Sequence, residues 1–190
     1  MESGLSLWYD GTGMDVRALW ITGLPGSGKS TLSAALRERY PDFIVIRMDD
    51  LRRVVTPEPT YSESERDIVY RCLVFTARIL VEHGHRVIID ATGNFRKWRE
   101  LARTLIPGFR EIYLKCPLDV CIRRERERPE RYGAPEEVYR KGGEGWPVPG
   151  VSAPYEEPVS PDVLIETDRV SIAEAVKAVE DLFGRPGGPS

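Results

Sequence analysis

Long apolar runs are missing from this 190-residue chain. No stretch approaches the roughly 20 residues of a membrane span, and the first residues carry no apolar leader core, so a cytoplasmic protein is expected. Cysteine is scarce: Cys72, Cys116 and Cys121 form an odd set without metal-ligand spacing, which argues against a disulfide framework and for reduced thiols. The two histidines, His83 and His85, flank a helix-ending glycine and suggest no role. An excess of charge of one sign is lacking too. The net charge is −3 and the pI near 5.6, so no global field draws the chain to nucleic acid or to a membrane. No internal repeat is present.

What the chain does have is 41% apolar residues, enough core for one ordinary domain. Its most informative stretch is Gly23-Leu24-Pro25-Gly26-Ser27-Gly28-Lys29-Ser30-Thr31, a glycine loop closed by Gly-Lys-Ser. The apolar run Ala18-Leu19-Trp20-Ile21-Thr22 precedes it and reads as a buried parallel strand. After it, Leu32, Ala35 and Leu36 recur at helical spacing until Pro41. Strand, glycine loop and helix in that order make a phosphate cradle, in which backbone N–H groups and the helix N-terminus face the phosphates. Lys29 is expected to reach the β- and γ-phosphates of ATP, and the Ser30 hydroxyl to ligate Mg²⁺.

Further strands are expected at Phe43-Ile44-Val45-Ile46, Arg86 to Asp90, Ile112-Tyr113-Leu114 and Val163-Leu164-Ile165. Between them helices are expected from Glu63 to Glu82, Asn94 to Ile106 and Leu118 to Arg128, with a last one after the capping box Ser171-Ile172-Ala173-Glu174. On the long helix, Ile68, Cys72, Phe75, Ile79 and Leu80 are the expected apolar face, and Gly84 suits a left-handed cap. The alternation predicts an α/β fold: a three-layer P-loop, nucleoside-kinase-like architecture with a parallel five-stranded sheet. Ligands of such sheets bind beyond the carboxyl ends of the strands, where Gly23, Asp49 and Asp90 fall. Residues 129–161, rich in Gly and Pro, read as a lid that keeps water from the γ-phosphate. Residues 1–16 read as an N-terminal extension, 17–183 as the kinase domain and 184–190 as a disordered tail.

The motifs resemble those of the adenylylsulfate kinase family. Gly23 to Thr31 matches its loop, and Arg47-Met48-Asp49-Asp50-Leu51-Arg52 keeps the second Asp and the Arg of its D-G-D-N-V-R. Tyr61-Ser62-Glu63-Ser64-Glu65-Arg66 resembles its F-S-x-x-x-R, and Pro117-Leu118-Asp119-Val120-Cys121 its P-L-E-V-C. Gly143-Glu144 and Gly150-Val151-Ser152-Ala153-Pro154-Tyr155-Glu156 follow its lid. The chain departs from the family at Arg47 (Asp there), Val69 (Asn) and Val148 (the Phe covering the acceptor's adenine), and Asp90-Ala91-Thr92-Gly93-Asn94 looks more like polynucleotide-kinase-like enzymes. The resemblance implies transfer of the γ-phosphate of ATP to the 3′-hydroxyl of adenylylsulfate, and a possible homodimer. Open alternatives are another acceptor, such as a cytidine-diphosphate-linked metabolite or a polynucleotide 5′-hydroxyl, and a non-catalytic nucleotide-binding protein.

Asp49 is the candidate general base, or else a helix N-cap. Asp90 ends an apolar strand as a Walker B carboxylate would, holding Mg²⁺ through water, or else is a strand-end loop residue. Arg52 and Arg66 are candidate clamps on an anionic acceptor, with Arg96 and Arg99 as additions. Tyr61, Trp146 and Val148 are candidates to cover a flat acceptor group. The mixed run Arg123 to Arg128 reads as mostly a solvated helix face, from which the resemblance singles out Arg124 as a residue near the ATP base and phosphates. Cys116 and Cys121 are expected in the core.

Overall fold

The computed structural model describes residues 16–127, 138–144 and 146–183. In chain order the elements are β1 (Ala18–Thr22), α1 (Lys29–Arg39), β2 (Phe43–Arg47), α2 (Met48–Val55), α3 (Glu63–Glu82), β3 (Arg86–Asp90), α4 (Arg96–Leu105), β4 (Phe109–Lys115), α5 (Leu118–Glu127), α6 (Val138–Gly143), β5 (Val163–Glu166) and α7 (Ile172–Phe183). The strands lie in the order β2-β3-β1-β4-β5, every pair parallel. The predicted α/β architecture is therefore the observed one. Residues 1–15 and 184–190, and 128–137 and 145 around the expected lid, lie outside the described residues.

The central strands are apolar throughout because both faces are covered, and the period-two alternation divides their side chains between two cores. Trp20, Val87 and Ile89 point into a core completed by Leu73, Val74 and Trp98 of α3 and α4. Leu19, Ile21 and Ile88 point the other way, onto Leu32 and Leu36 of α1 and Val179 of α7. In the first core Tyr70 stacks on Trp98 at 3.9 Å between centroids, and the buried Trp20 indole donates to the Ala91 carbonyl at 2.9 Å. At the chain's described start Val16 is buried, and the Arg17 and Ala18 N–H groups donate to the Gly108 carbonyl.

Three expectations need correction. The buried face of α3 is Val69, Tyr70, Leu73, Val74, Ala77 and Val81, whereas Ile68 and Phe75 of the expected face are 56% and 63% exposed. The helix is apolar on both sides, so helical spacing alone leaves two stripes, and the one continuous with Tyr70 meets the sheet. Met48–Val55 is a helix, where the sequence suggested only a segment begun by Asp49 and Asp50. The next correction is at α4, which starts at Arg96 rather than Asn94, because the backbone before it is committed elsewhere: Gly93 N–H donates to the Tyr70 hydroxyl and Asn94 C=O accepts from Glu156 N–H. The mixed charge run of α5 is mostly solvated as expected, with Glu125 its one buried member among the described residues. The capping box opens α7 as expected, with Ser171 N–H on Glu174 Oε2 at 2.7 Å and Glu174 N–H on Ser171 Oγ at 3.3 Å. Gly84 has φ 85°, the left-handed cap of α3.

Candidate active site

Parallel pairing brings the carboxyl ends of β1, β2 and β3 to one edge, and the loops that leave them surround a cavity of about 550 Å³. The loop after β1 forms its floor. Gly28 is the N-cap of α1 at φ 103°, and the place of its absent Cβ is open space, so backbone alone faces the cavity there. Gly26 stands at φ 77° where a Cβ would run into the Cys121 carbonyl. Ser27 Oγ is buried without a hydrogen-bond partner in the protein. A cradle of this kind, positive at the helix N-terminus, fits an oligophosphate.

The Lys29 ammonium donates to the carbonyls of Gly23 (3.1 Å) and Leu24 (2.9 Å). Burial pushes its pKa below the ordinary lysine range, while the charges of Asp90 and Asp49 oppose that shift. Register explains Asp90. Ile88 faces α1, so Asp90, two residues on, shares that face and stands beside Lys29, with Arg47 opposite it in the ladder. Asp49 lies in the first turn of α2 on the cavity wall; the N-cap of that helix is Arg47, not Asp49. The capping alternative for Asp49 thus falls. Among the described residues no cluster of three His, Cys, Asp or Glu could hold a metal alone. The available donors, the Ser30 hydroxyl and the Asp90 carboxylate, are hard oxygens suited to Mg²⁺ carried mainly by phosphates.

On the β2 side, Arg52 and Arg66 are both buried and both line the cavity. Arg52 Nη1 donates to Glu65 Oε1 at 2.9 Å and its guanidinium lies 5.0 Å from the Tyr61 ring centroid. Although burial opposes its charge, Glu65 is held below the ordinary carboxylate range by the hydroxyl and N–H of Thr60 and by Arg52. The Arg66 guanidinium donates to the Pro147 carbonyl. Tyr61 has φ 56°, the single non-glycine residue with positive φ among the described residues, a strained setting often found at functional sites. Its ring meets that of Trp146, centroids 5.0 Å apart and planes at 49°. Val148 is buried beside them, packed on Gly142.

The far end of the cavity, toward β5, is built by Arg124, which donates to Thr167 O at 2.7 Å and Thr167 Oγ1 at 3.1 Å, with Val170 and Ile172 next to it. Sequence reasoning found Arg124 but not its apolar companions, because single residues in a β5–α7 turn carry no periodic signal. It missed Tyr139 of α6 as well, whose hydroxyl donates to the Pro25 carbonyl at 2.6 Å.

Two candidates stand elsewhere. Arg96 lies outside the cavity walls, its N–H on Glu156 Oε2 at 2.6 Å and its guanidinium on the Glu157 carbonyl at 3.2 Å. Arg99 is 1% exposed and bonds Glu111 at 2.6 Å and the Gly93 and Glu156 carbonyls, a buried knot that fixes the β3–α4 loop rather than an acceptor clamp. Gly23 and Leu24 lie behind the wall, reached through Lys29. Val69 is wholly inside the core. Burial raises the Cys121 thiol to about 12, so it packs rather than reacts.

Comparison with known proteins agrees with this geometry. Residues 15–166 match the family model described as Adenylylsulphate kinase. A probable adenylyl-sulfate kinase of Bacillus subtilis is 34% identical over 177 residues, covering 89% of this chain and 84% of that protein. One from Archaeoglobus fulgidus is 35% identical over 157 residues, covering 80% and 96%. Among solved structures, the Mycobacterium tuberculosis APS kinase in complex with AMPPNP and APS superposes with a TM-score of 0.76 at 29% identity, covering 90% of this chain and 99% of that one. A gluconokinase from Sinorhizobium meliloti, 17% identical with a TM-score of 0.62 and coverage of 90% and 93%, shares the fold alone. With its phosphate loop, its Asp-Arg pair on α2 and this match over most of its length, the chain belongs to the adenylylsulfate kinase family, P-loop phosphotransferases that act on a hydroxyl.

Proposed function

We propose that the chain transfers the γ-phosphate of Mg·ATP to the 3′-hydroxyl of adenylylsulfate. The observation that carries this reading is one continuous cavity with the phosphate loop in its middle, Arg124 and Thr167 at one end and Asp49, Arg52, Arg66, Tyr61 and Trp146 at the other. ATP places its base at the first end and its γ-phosphate over Lys29. The acceptor's adenine meets Tyr61 and Trp146, and its phosphate and sulfate oxygens match the forks of Arg52 and Arg66. Asp49 accepts the proton as the 3′-oxygen bonds to the γ-phosphorus and the bond to the ADP oxygen breaks. Lys29 stabilises charge on the departing oxygens. Ser30 and Asp90 would hold Mg²⁺, which when bound would neutralise phosphate charge.

Val148 and Arg47, two positions where the sequence departs from the motifs it resembles, favour one second reading: the same transfer to a different anionic acceptor. ADP release from Mg·ATP with adenylylsulfate, a cytidine-diphosphate conjugate and a 5′-hydroxyl oligonucleotide separates the two. Stimulation by adenylylsulfate alone is expected; stimulation only by another acceptor would sink the first reading.

The apolar stripe that α3 leaves exposed, Ile68, Phe75 and Ile79, supports a homodimer. A two-fold axis near Phe75 would set α3 antiparallel to its copy, with apolar stripe against apolar stripe. Among the described residues no helix is long and apolar enough to cross a membrane.

A further inference from the structure

We infer that Tyr139 is a positioning residue: it orients the phosphate loop and ties nucleotide occupancy to the wall of the acceptor subsite. The inference rests on the cavity's division into nucleotide and acceptor ends proposed above. A trans peptide points its C=O and N–H in opposite directions. Pro25 C=O and Gly26 N–H belong to one peptide, so the Tyr139 hydroxyl, by holding the carbonyl at 2.6 Å, fixes where the Gly26 N–H points. Leu24, one peptide earlier, is held by Lys29 at 2.9 Å. Gly26 is on the cavity wall at φ 77°, and without a Cβ its backbone restrains the aim of that peptide little, which is why an external anchor matters.

Tyr139 is also joined to the other end of the cavity. It sits on α6, and Gly142 of the same helix packs so close on Val148 that an added Cβ would lie 3.1 Å from the valine side chain. The Val148 carbonyl accepts the N–H groups of Val151, Ser152 and Ala153, and Val148 N–H donates to Ser152 Oγ at 2.9 Å. This knot leans on the phosphate loop a second time, where Gly150, at φ 85°, lies against Leu24. Its other side carries Trp146 against Tyr61, and Pro147 C=O on Arg66. The Lys141 ammonium, 5.0 Å from the Trp146 ring centroid, ties that ring back to α6. One packed unit thus touches one loop peptide, the Leu24 side chain of the same loop, and the Tyr61 and Arg66 side chains. A base sandwiched between two rings needs about 7 Å between their planes, twice the usual carbon contact. The 5.0 Å between Tyr61 and Trp146 leaves no such room. Admitting the acceptor therefore means moving the unit, which frees Arg66 from Pro147 and pulls on Pro25 through Tyr139. By reciprocity, phosphate that turns the Gly26 peptide biases Trp146.

The test uses the full chain with Mg·AMPPNP alone as ligand, so it does not depend on the acceptor's identity. The emission difference between wild type and Trp146→Phe isolates the Trp146 signal. Saturating Mg·AMPPNP is expected to shift that signal in the wild type. In Tyr139→Phe the nucleotide binds about fivefold more weakly, as for one net hydrogen bond, and at saturation the Trp146 shift is lost. Gly142→Val, which wedges α6 away from Val148, is expected to lose the shift with nucleotide affinity kept. A second arm measures adenylylsulfate binding: Mg·AMPPNP tightens it ~10-fold in the wild type and no more than ~2-fold in Tyr139→Phe. A Trp146 shift that survives in both variants, or is absent from nucleotide-saturated wild type, overturns the inference. If adenylylsulfate fails to bind wild type while the Trp146 shift behaves as stated, the coupling stands and the acceptor assignment falls.

Discussion

Lys29 and Asp49 show what single residues do at this site. Lys29 is held in the phosphate loop by the Gly23 and Leu24 carbonyls, and the charges of Asp90 and Asp49 oppose the effect of burial on its ammonium. Asp49, proposed above as the base, lies on the cavity wall in the first turn of α2, whose N-cap is Arg47. Asp49→Ala is therefore expected to lower kcat by about 10²–10⁴ while leaving the Kd for Mg·AMPPNP within about threefold. Steady-state kinetics beside calorimetry checks it, and an equal loss of both would remove Asp49 from transfer. Arg99 belongs to a different class. Its side chain and that of Glu111 are 1% and 9% exposed, so removing the guanidinium leaves a buried carboxylate, with only the half-exposed Arg103 remaining on it. Arg99→Met is expected to destabilise the fold by about 3–5 kcal/mol in urea unfolding. The glycine loop announced its chemistry because three glycines and a lysine in fixed order have few other uses. Arg99 did not, since an arginine in a helix looks the same whether it meets a sulfate or a buried glutamate.

At the scale of elements, α3 is the instructive case. Its 20 residues carry one apolar stripe that faces the sheet and a second, Ile68, Phe75 and Ile79, that faces outward. A helix apolar on both sides is normally covered on both. Phe75→Glu is expected to leave Tm unchanged within a few degrees and to convert a dimer into a monomer by light scattering. A wild type already monomeric at high concentration would refute the paired-helix reading. Capping signals located α7 and the end of α3 correctly because they act within one turn. The start of α4 escaped, since Gly93 and Asn94 are held by Tyr70 and Glu156, residues far along the chain.

For the molecule as a whole, the sheet sets the loops after β1, β2 and β3 around one cavity, so a ligand that fills it ties together elements from most of the chain. Mg·AMPPNP at a hundred times its Kd is expected to stabilise the fold by about 2.7 kcal/mol, read as a rise in Tm. Gly28→Val, which forces a side chain into φ 103° and into the phosphate space, should abolish that rise. By itself the sequence determined the five strands, the helices other than α2 and α6, the phosphate loop and the family, because these depend on neighbours within about a turn or on motifs of fixed spacing. Only the tertiary structure decided which face of α3 is inside, that Arg99 is a buried tie and Arg96 stands off the cavity, and that Trp146 meets Tyr61. Those outcomes depend on pairs 85 or so residues apart in the case of Tyr61 and Trp146, and no local pattern encodes a contact that chain packing alone creates.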